Sequence, residues 1–179
     1  MNSLARISSL AATVAALALT AAPAQAATPT TPATAKVKIM KAVTITRVAD
    51  LDFGTIVLSG PAGFTGAVAS VSNAGVRSCD AVNLTCSGTA SAAEYKVTGS
   101  NNATVNLVIP DTVTIRNGPG GVGGDALTVD LDESQTTILL TSSGAPGDNF
   151  TFGGDISLDE ATPDGDYVGD IVVTANYPA

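Results

Sequence analysis

Residues 103–121, ATVNLVIPDTVTIRNGPGG, hold two short strands separated by a break, and this pattern decides the fold class. The segments 103–109 and 112–116 are rich in Val, Ile and Thr, a composition that is typical of β-strands. Pro110 ends the first strand because proline cannot donate a hydrogen bond to a ladder. The sequence NGPGG at 117–121 predicts a turn or loop after the second strand.

Short strands of this kind recur along the chain. A period of two begins at Lys36 and predicts a first strand with one buried face, formed by Val37, Ile39, Val43 and Ile45 and interrupted by Lys41. Further strands are predicted over residues 51–58, 66–72, 94–98, 126–131, 136–141, 150–158 and 167–177. In the last of these strands the apolar spacing slips at Gly169, which predicts a β-bulge.

The strands and their turns define the fold class. No window after residue 26 shows a convincing helical period, so we predict an all-β domain. About ten strands indicate an antiparallel β-sandwich, with a closed barrel as the weaker alternative. Since the chain has no Trp, its largest core groups are expected to be Phe53, Phe64, Phe150 and Phe152. Phe53 and Phe152 each precede a glycine and are expected to pack where a strand bends.

Residues 1–26 have the organisation of a signal peptide. Arg6 gives a short positive region, residues 10–22 are apolar, and residues 24–26, AQA, supply the small residues of a cleavage site. The apolar stretch is shorter than the ~20 residues that span a bilayer, so a membrane anchor is the weaker alternative. We therefore expect an exported protein of the periplasm, the cell surface or the extracellular medium, with no membrane-spanning segment after cleavage.

The expected mature chain is one domain with an extended start. Residues 27–35, ATPTTPATA, are rich in Thr, Pro and Ala and predict an extended N-terminal segment. Residues 36–179 then form a single β-sandwich domain, since no repeat or second domain is visible.

The charge balance argues against two classes of partner. The net charge is −8, and removal of Arg6 with the signal peptide makes it −9. Nucleic-acid binding requires Lys and Arg to neutralise phosphates, so an acidic chain without a basic patch argues against it. The same charge argues against electrostatic binding to anionic lipid.

Cys79 and Cys86 are the two cysteines of the chain. An even count in an exported protein predicts a disulfide bond between them. A metal site needs more than two thiols, and the spacing is not the Cys-x-x-Cys of redox pairs. The bond would close a loop of about eight residues and contribute roughly 2–3 kcal/mol.

Histidine, which many common active sites require, is missing from the chain. The chain has no His, which excludes Ser–His–Asp and Cys–His sites and His-ligated zinc. A pair of carboxylates for glycoside hydrolysis remains formally possible, but few aromatic residues are present to line a sugar cleft. The glycine-rich stretch 118–124, GPGGVGG, lacks the Lys-Ser/Thr ending of a phosphate loop. We predict no enzyme, no catalytic residue and no cofactor.

Asp164, Asp166 and Asp170 lie close together in the sequence PDGDYVGD, residues 163–170. Oxygen ligands at alternate positions can bind Ca²⁺, although the spacing is not that of an EF-hand loop. The simpler interpretation is a turn that opens the last strand.

Three motifs resemble a known family. They are VTITRVADLDFGTIV at 43–57, FGG at 152–154 and GDYVGDIVVTANY at 165–177. Together they resemble a bacterial secreted family catalogued as domain of unknown function 4402, over nearly the whole expected mature chain. The ending, with Gly165, Tyr167, Gly169 and Tyr177, is also similar to the last strand of chaperone–usher and spore-coat-U-type pilins. Two features depart from the pilins: Tyr177 is third from the end, and the cysteines lie in mid-chain.

The resemblance to pilins implies a mechanism of assembly. The immunoglobulin-like sandwich of a pilin lacks its last strand, and a periplasmic chaperone covers the open groove. At an outer-membrane usher, the N-terminal segment of the next subunit replaces the chaperone by strand addition. The matching donor face in this chain consists of Ala33, Ala35, Val37 and Ile39, with Thr34, Lys36 and Lys38 opposite.

Two functions therefore stay open on the sequence. The first is a pilin-like subunit that forms a homo-polymer or surface fibre. The second is a self-complete secreted sandwich, a binding or accessory module in which residues 36–47 pair within their own chain. A small enzyme or a calcium-dependent module is a third and weaker alternative.

Overall fold

Alternating Thr, Val and Ile form the strands of this protein, because β-branched side chains pack well on a pleated surface. The computed structural model describes residues 30–132 and 134–178, and the strands within them confirm the all-β prediction. The strands are β1 Thr44–Ala49, β2 Thr55–Leu58, β3 Ala67–Val71, β4 Arg77–Cys79, β5 Leu84–Ser87, β6 Ala93–Thr98, β7 Thr104–Val108, β8 Thr112–Arg116, β9 Ala126–Leu131, β10 Thr137–Leu139, β11 Asp148–Phe152, β12 Gly154–Leu158 and β13 Thr174–Asn176. A single 3₁₀ turn, Pro119–Gly121, follows β8 where a turn was predicted.

The strands of the described residues pair into antiparallel sheets with the orders β4-β3-β12-β9-β8, β1-β6-β11, β10-β7-β13 and β2-β5. The two three-stranded sheets are neighbours, since β1 lies beside β13 and β10 beside β11. Buried side chains of these sheets and of the five-stranded sheet pack into a single core. The predicted antiparallel β-sandwich is confirmed.

Three aromatic rings stack at the centre of the β1-β6-β11 sheet. Tyr95 of β6 lies directly opposite Phe150 of β11, with 5.7 Å between ring centroids, and 5.9 Å from Phe152. Phe150 and Phe152 are buried as predicted, whereas Phe53 and Phe64 are only half-buried against the core.

The segment 150–158, predicted as one strand, is two strands in different sheets. Phe152 ends β11 opposite Ala93 of β6, and Gly154 begins β12 between Val71 and Leu131. The chain crosses at Gly153, where a Cβ atom would overlap the carbonyl oxygen of Val71. Only glycine allows this approach, so the bend expected after Phe152 is confirmed while the continuous strand is wrong.

The first strand starts later than predicted. β1 begins at Thr44, opposite Thr98, the last residue of β6. Before Thr44 there is no β6 residue left to pair with, because the chain turns away after Thr98, so the strand predicted from Lys36 is wrong over 36–43. The described residues 30–37 have no regular secondary structure, and a compact unit begins at Lys38.

The last strand is shorter than predicted. Val168 makes an isolated antiparallel bridge with Arg116 of β8, and only Thr174–Asn176 forms a strand, on β7. The apolar residues of 167–177 are therefore shared between two sheets, and the bulge predicted at Gly169 is wrong. The turn expected to open this strand at 163–166 leads instead to the Val168 bridge.

The sequence did not predict β4 and β5, which carry the cysteines. The disulfide bond between Cys79 and Cys86 is confirmed. Because β4 pairs with β3 and β5 pairs with β2, the bond joins the five-stranded sheet to the two-stranded β2-β5 sheet.

Candidate functional site

A large apolar groove opens into the core of the compact unit, with a volume of about 1470 Å³. Its floor is the inner face of β8, β9 and β12, with the side chains of Val113, Ile115, Leu127, Val129, Ile156 and Leu158. The floor residues of β8 and the start of β9 are only half-buried. The sandwich is therefore incompletely covered along this line.

Two segments form the walls of the groove. One wall is the stretch 49–58, which supplies Leu51, Phe53, Ile56 and Leu58. The other wall is the stretch 162–172, which supplies Ile171 near its end. All of these apolar side chains are half-buried, so an apolar occupant of the groove would remove further surface from water.

Backbone groups along the groove lack strand partners. β8 pairs with β9 on one side, and on the other side the described residues 30–132 and 134–178 supply one bridge, between Arg116 and Val168. Within the described part of the chain, none of the residues 169–173 makes a backbone–backbone hydrogen bond. Unpaired edges of this kind are templates for an added strand.

The motif LDFG at 51–54 shapes the first wall. The carboxylate of Asp52 accepts a hydrogen bond from the Gly54 amide at 2.7 Å, which closes a tight turn. The guanidinium of Arg77 donates to the carbonyl oxygens of Phe53 and Ser87, at 3.0 and 2.7 Å. Gly54 has a positive φ of 71°, so the motif requires glycine there.

Tyr95 links the stacked core to the second wall. Its hydroxyl donates to the carbonyl oxygen of Ile171 at 3.2 Å. Burial raises the pKa of the Tyr95 phenol; the nearby Arg47 opposes this shift, and Asp50 and Asp170 add to it. Sequence reasoning missed this residue, although an isolated Tyr in a predicted strand of an aromatic-poor chain was a usable signal.

Carboxylates line the rim of the groove. Asp50 and Asp52 belong to the first wall, and Asp164, Asp166 and Asp170 belong to the second; all five are exposed. Of the described residues that line the groove, Arg47 alone is basic, and its guanidinium pairs with Asp50 at 2.8 Å. The rim therefore carries a net negative charge.

The possible calcium ligands are not brought together. Within residues 30–132 and 134–178, no group of three or more His, Cys, Asp or Glu is placed to hold a metal ion. Asp164, Asp166 and Asp170 instead lie along one wall of the groove.

The predicted last-strand motif is divided between two places. Gly165 packs against the side chain of Asn117, whose amide donates to the carbonyl oxygen of Asp164 at 3.4 Å. The hydroxyl of Tyr167 donates to the carbonyl oxygen of Pro163 at 2.8 Å. At Gly169 the backbone approaches β8 so closely that a Cβ atom would lie 2.6 Å from the Thr114 carbonyl oxygen.

Tyr177, the last member of the motif, anchors the start of the compact unit. Its hydroxyl donates to the carbonyl oxygen of Lys41 at 2.9 Å and accepts the Ser100 amide at 2.7 Å. The Lys41 amide donates to the Ser100 hydroxyl at 2.6 Å. The structure thus fixes the chain at Lys41, directly after the predicted donor face.

The predicted donor residues are all exposed. Ala33 and Ala35 are solvent-accessible, and the side chains of Val37 and Ile39 are exposed by 83% and 86%. Large apolar side chains with this degree of exposure at alternate positions are candidates for an interface.

The predicted signal peptide, residues 1–26, and the first part of the segment 27–35 lie outside the described residues. Within the described part of the chain, no helix has the length and apolar character that crossing a membrane requires.

Fold and groove define a class: an antiparallel β-sandwich with its core open along one side. The family model described as Domain of unknown function (DUF4402) matches residues 43–177, and the chain belongs to this family. The match confirms the resemblance to this family that was seen in the sequence, and it begins after the predicted donor residues. No curated protein and no solved structure was found to match the chain.

Proposed function

We propose that this protein is a structural subunit of a pilus or fimbria-like surface fibre. In this assembly, the N-terminal segment of one copy is added as a strand to the groove of the next. One observation carries the proposal: the same chain has an open apolar groove and an exposed segment with alternating apolar residues.

The segment and the groove have matching requirements. An extended strand places Ala33, Ala35, Val37 and Ile39 on one face, where they can meet the apolar floor. Its backbone can supply hydrogen-bond partners to the unpaired edges of the walls. Strand addition would therefore bury the apolar surface of the groove and supply hydrogen-bond partners to its unpaired backbone groups.

The expected binding energy of this contact is modest. Full burial of Val37 or Ile39 contributes roughly 1.5–3 kcal/mol each, and each new hydrogen bond about 0.5–1.5 kcal/mol. The alanines contribute less, and association itself has a large entropic cost. An assembly of this kind benefits from a periplasmic chaperone that protects the groove and an outer-membrane usher that orders the subunits.

Head-to-tail addition makes a polymer. The donor segment and the acceptor groove are different surfaces, so the contact is heterologous and does not close into a dimer. The subunit acts in this function as a non-catalytic building block, exported by its predicted signal peptide.

The proposal is tested by gel filtration of the chain from Ala27 onward, with and without residues 27–40. The intact chain is expected to form oligomers and the shortened chain to be monomeric. A double substitution, V37D/I39D, is expected to abolish oligomers without loss of segment length. T34N, a neutral substitution on the opposite face of the same segment, is the control and is expected to leave oligomers in place.

Identical monomers for the intact and shortened chains would contradict the proposal. They would favour the alternative of a self-complete secreted binding or accessory module. One observation favours that alternative: β1 and β13 each pair with strands of their own chain. In that case a single cooperative melt of the monomer is expected at all protein concentrations.

A further inference from the structure

Basic and acidic residues are unequally distributed along the chain. Residues 27–42 contain three lysines, Lys36, Lys38 and Lys41, and no Asp or Glu. All 16 Asp and Glu lie from Asp50 to Asp170. The N-terminal segment is therefore basic, and the sandwich that follows it is strongly acidic.

The acidic surface includes the groove. Five exposed carboxylates lie along its two walls, and the one basic lining residue, Arg47, is already paired with Asp50. Like charges on facing walls repel each other and leave a negative potential above an apolar floor.

We propose that the groove selects the N-terminal segment of a second copy by charge as well as by apolar fit. Lys36 and Lys38 of the donor face the carboxylates of the rim while Val37 and Ile39 face the floor. This inference rests on the proposed function and identifies the partner as another copy of this chain.

The alternation of the segment supports this arrangement. In an extended strand, successive side chains point to opposite faces, so a strand that buries Val37 and Ile39 must turn Lys36 and Lys38 outward. The outward face of a strand that lies in the groove is next to the rim of the groove. Here the rim is lined by Asp50 and Asp52 on one wall and by Asp164, Asp166 and Asp170 on the other.

Lys41 is not part of the recognition. Its backbone is held by Tyr177 and Ser100, and its ammonium donates to the carbonyl oxygen of Ser143 at 3.4 Å. Residues after Lys41 belong to the donor's own sandwich, so recognition is left to Lys36 and Lys38.

The test measures assembly of the chain from Ala27 onward by sedimentation at 20 mM and 500 mM NaCl. Exposed ion pairs weaken with salt, so the polymerisation threshold is expected to rise by roughly tenfold at high salt. At low salt, K36E/K38E and D166K/D170K are each expected to raise the threshold by a similar factor.

Charge exchange provides the decisive comparison. A mixture of the K36E/K38E and D166K/D170K chains is expected to assemble better than either chain alone, since the basic donor of the second chain meets the unaltered acidic rim of the first, and the acidic donor of the first meets lysines in place of two rim carboxylates. A single chain with all four substitutions is also expected to assemble. The control D130K/D155K changes two facing exposed carboxylates of β9 and β12 outside the groove and is expected to assemble as the unsubstituted chain does.

Two results would overturn the inference in distinguishable ways. Charge recognition is overturned if the unsubstituted chain has the same polymerisation threshold at both salt concentrations and the mixture of variants assembles no better than each variant alone. The proposed function still stands in that case if V37D/I39D abolishes oligomers. Absence of assembly by the unsubstituted chain at both salt concentrations overturns both. Unchanged circular dichroism and melting of the exposed-site variants confirm that each chain folds.

Discussion

The hydroxyl of Tyr177 lies 2.9 Å from the carbonyl oxygen of Lys41, a residue 136 positions earlier in the chain. It also accepts the Ser100 amide, so one phenol joins the C-terminal end of the domain, the turn after β6 and the start of the compact unit. The chain is thus held at Lys41, ahead of β1, by the last tyrosine of the family match.

Loss of this hydroxyl is expected to destabilise the protein. Y177F removes both hydrogen bonds and should lower the free energy of unfolding by about 1–3 kcal/mol, measured by urea denaturation. Y167F is the control, because the Tyr167 hydroxyl donates to the exposed carbonyl oxygen of Pro163, four residues away, and accepts only a long hydrogen bond of 3.4 Å from the Asn117 amide. Equal effects of the two substitutions would contradict the anchoring role of Tyr177.

The crossing between sheets at Gly153 is expected to tolerate no side chain. G153A would push a methyl group into the carbonyl oxygen of Val71. The free energy of unfolding, measured by thermal denaturation, should therefore fall by about 3 kcal/mol or more. At Gly63, φ is 81° and no atom lies within 4 Å of the place that a Cβ atom would take. G63A should therefore cost only about 1–2 kcal/mol, and a G153A protein of unchanged stability would contradict the described crossing.

Removal of the disulfide bond is expected to have a moderate effect. C79A/C86A opens a loop between cysteines seven residues apart, and the free energy of unfolding should fall by roughly 2–3 kcal/mol in urea denaturation. A reductant should destabilise the unsubstituted protein by a similar amount and leave the variant unchanged. A reductant effect on the variant would show that the loss has another source.

The stability of the disulfide loop is expected to depend on pH. The Asp80 carboxylate accepts hydrogen bonds from the Asn83 amide and the Val82 backbone, at 2.7 and 3.0 Å, which lower the pKa of Asp80 below 3.8. A carboxyl group whose pKa is lower in the folded than in the unfolded state stabilises the fold at any pH above its unfolded-state pKa. This contribution is lost as the pH falls through the folded-state pKa. The stability difference between the unsubstituted protein and D80N should therefore shrink below pH 3.8, and a constant difference in melting temperature from pH 7 to pH 2 would contradict it.

Local patterns predicted the isolated strands well. The predicted segments 112–116 and 126–131 coincide with β8 and β9, because each is a short run of β-forming residues between strong turn signals. The cysteine pairing was also predictable, since only one pairing exists.

Features that depend on distant parts of the chain could not be predicted. The break at Gly153 follows from the position of the Val71 carbonyl in another strand. The residues of 167–177 keep a strand-like pattern, although Val168 bridges β8 and only 174–176 pair with β7. The groove could not be predicted from local patterns, because its walls, floor and acidic rim come from segments far apart in the sequence.

The three tyrosines give this protein a built-in optical reporter. The chain has no Trp, so its near-ultraviolet emission arises from tyrosine. Tyr95 and Tyr167 line the groove, and Tyr177 holds the chain at Lys41, next to the proposed donor segment. Entry of a neighbouring strand would change the surroundings of these rings, and a fibre could be followed as it grows without attaching a dye.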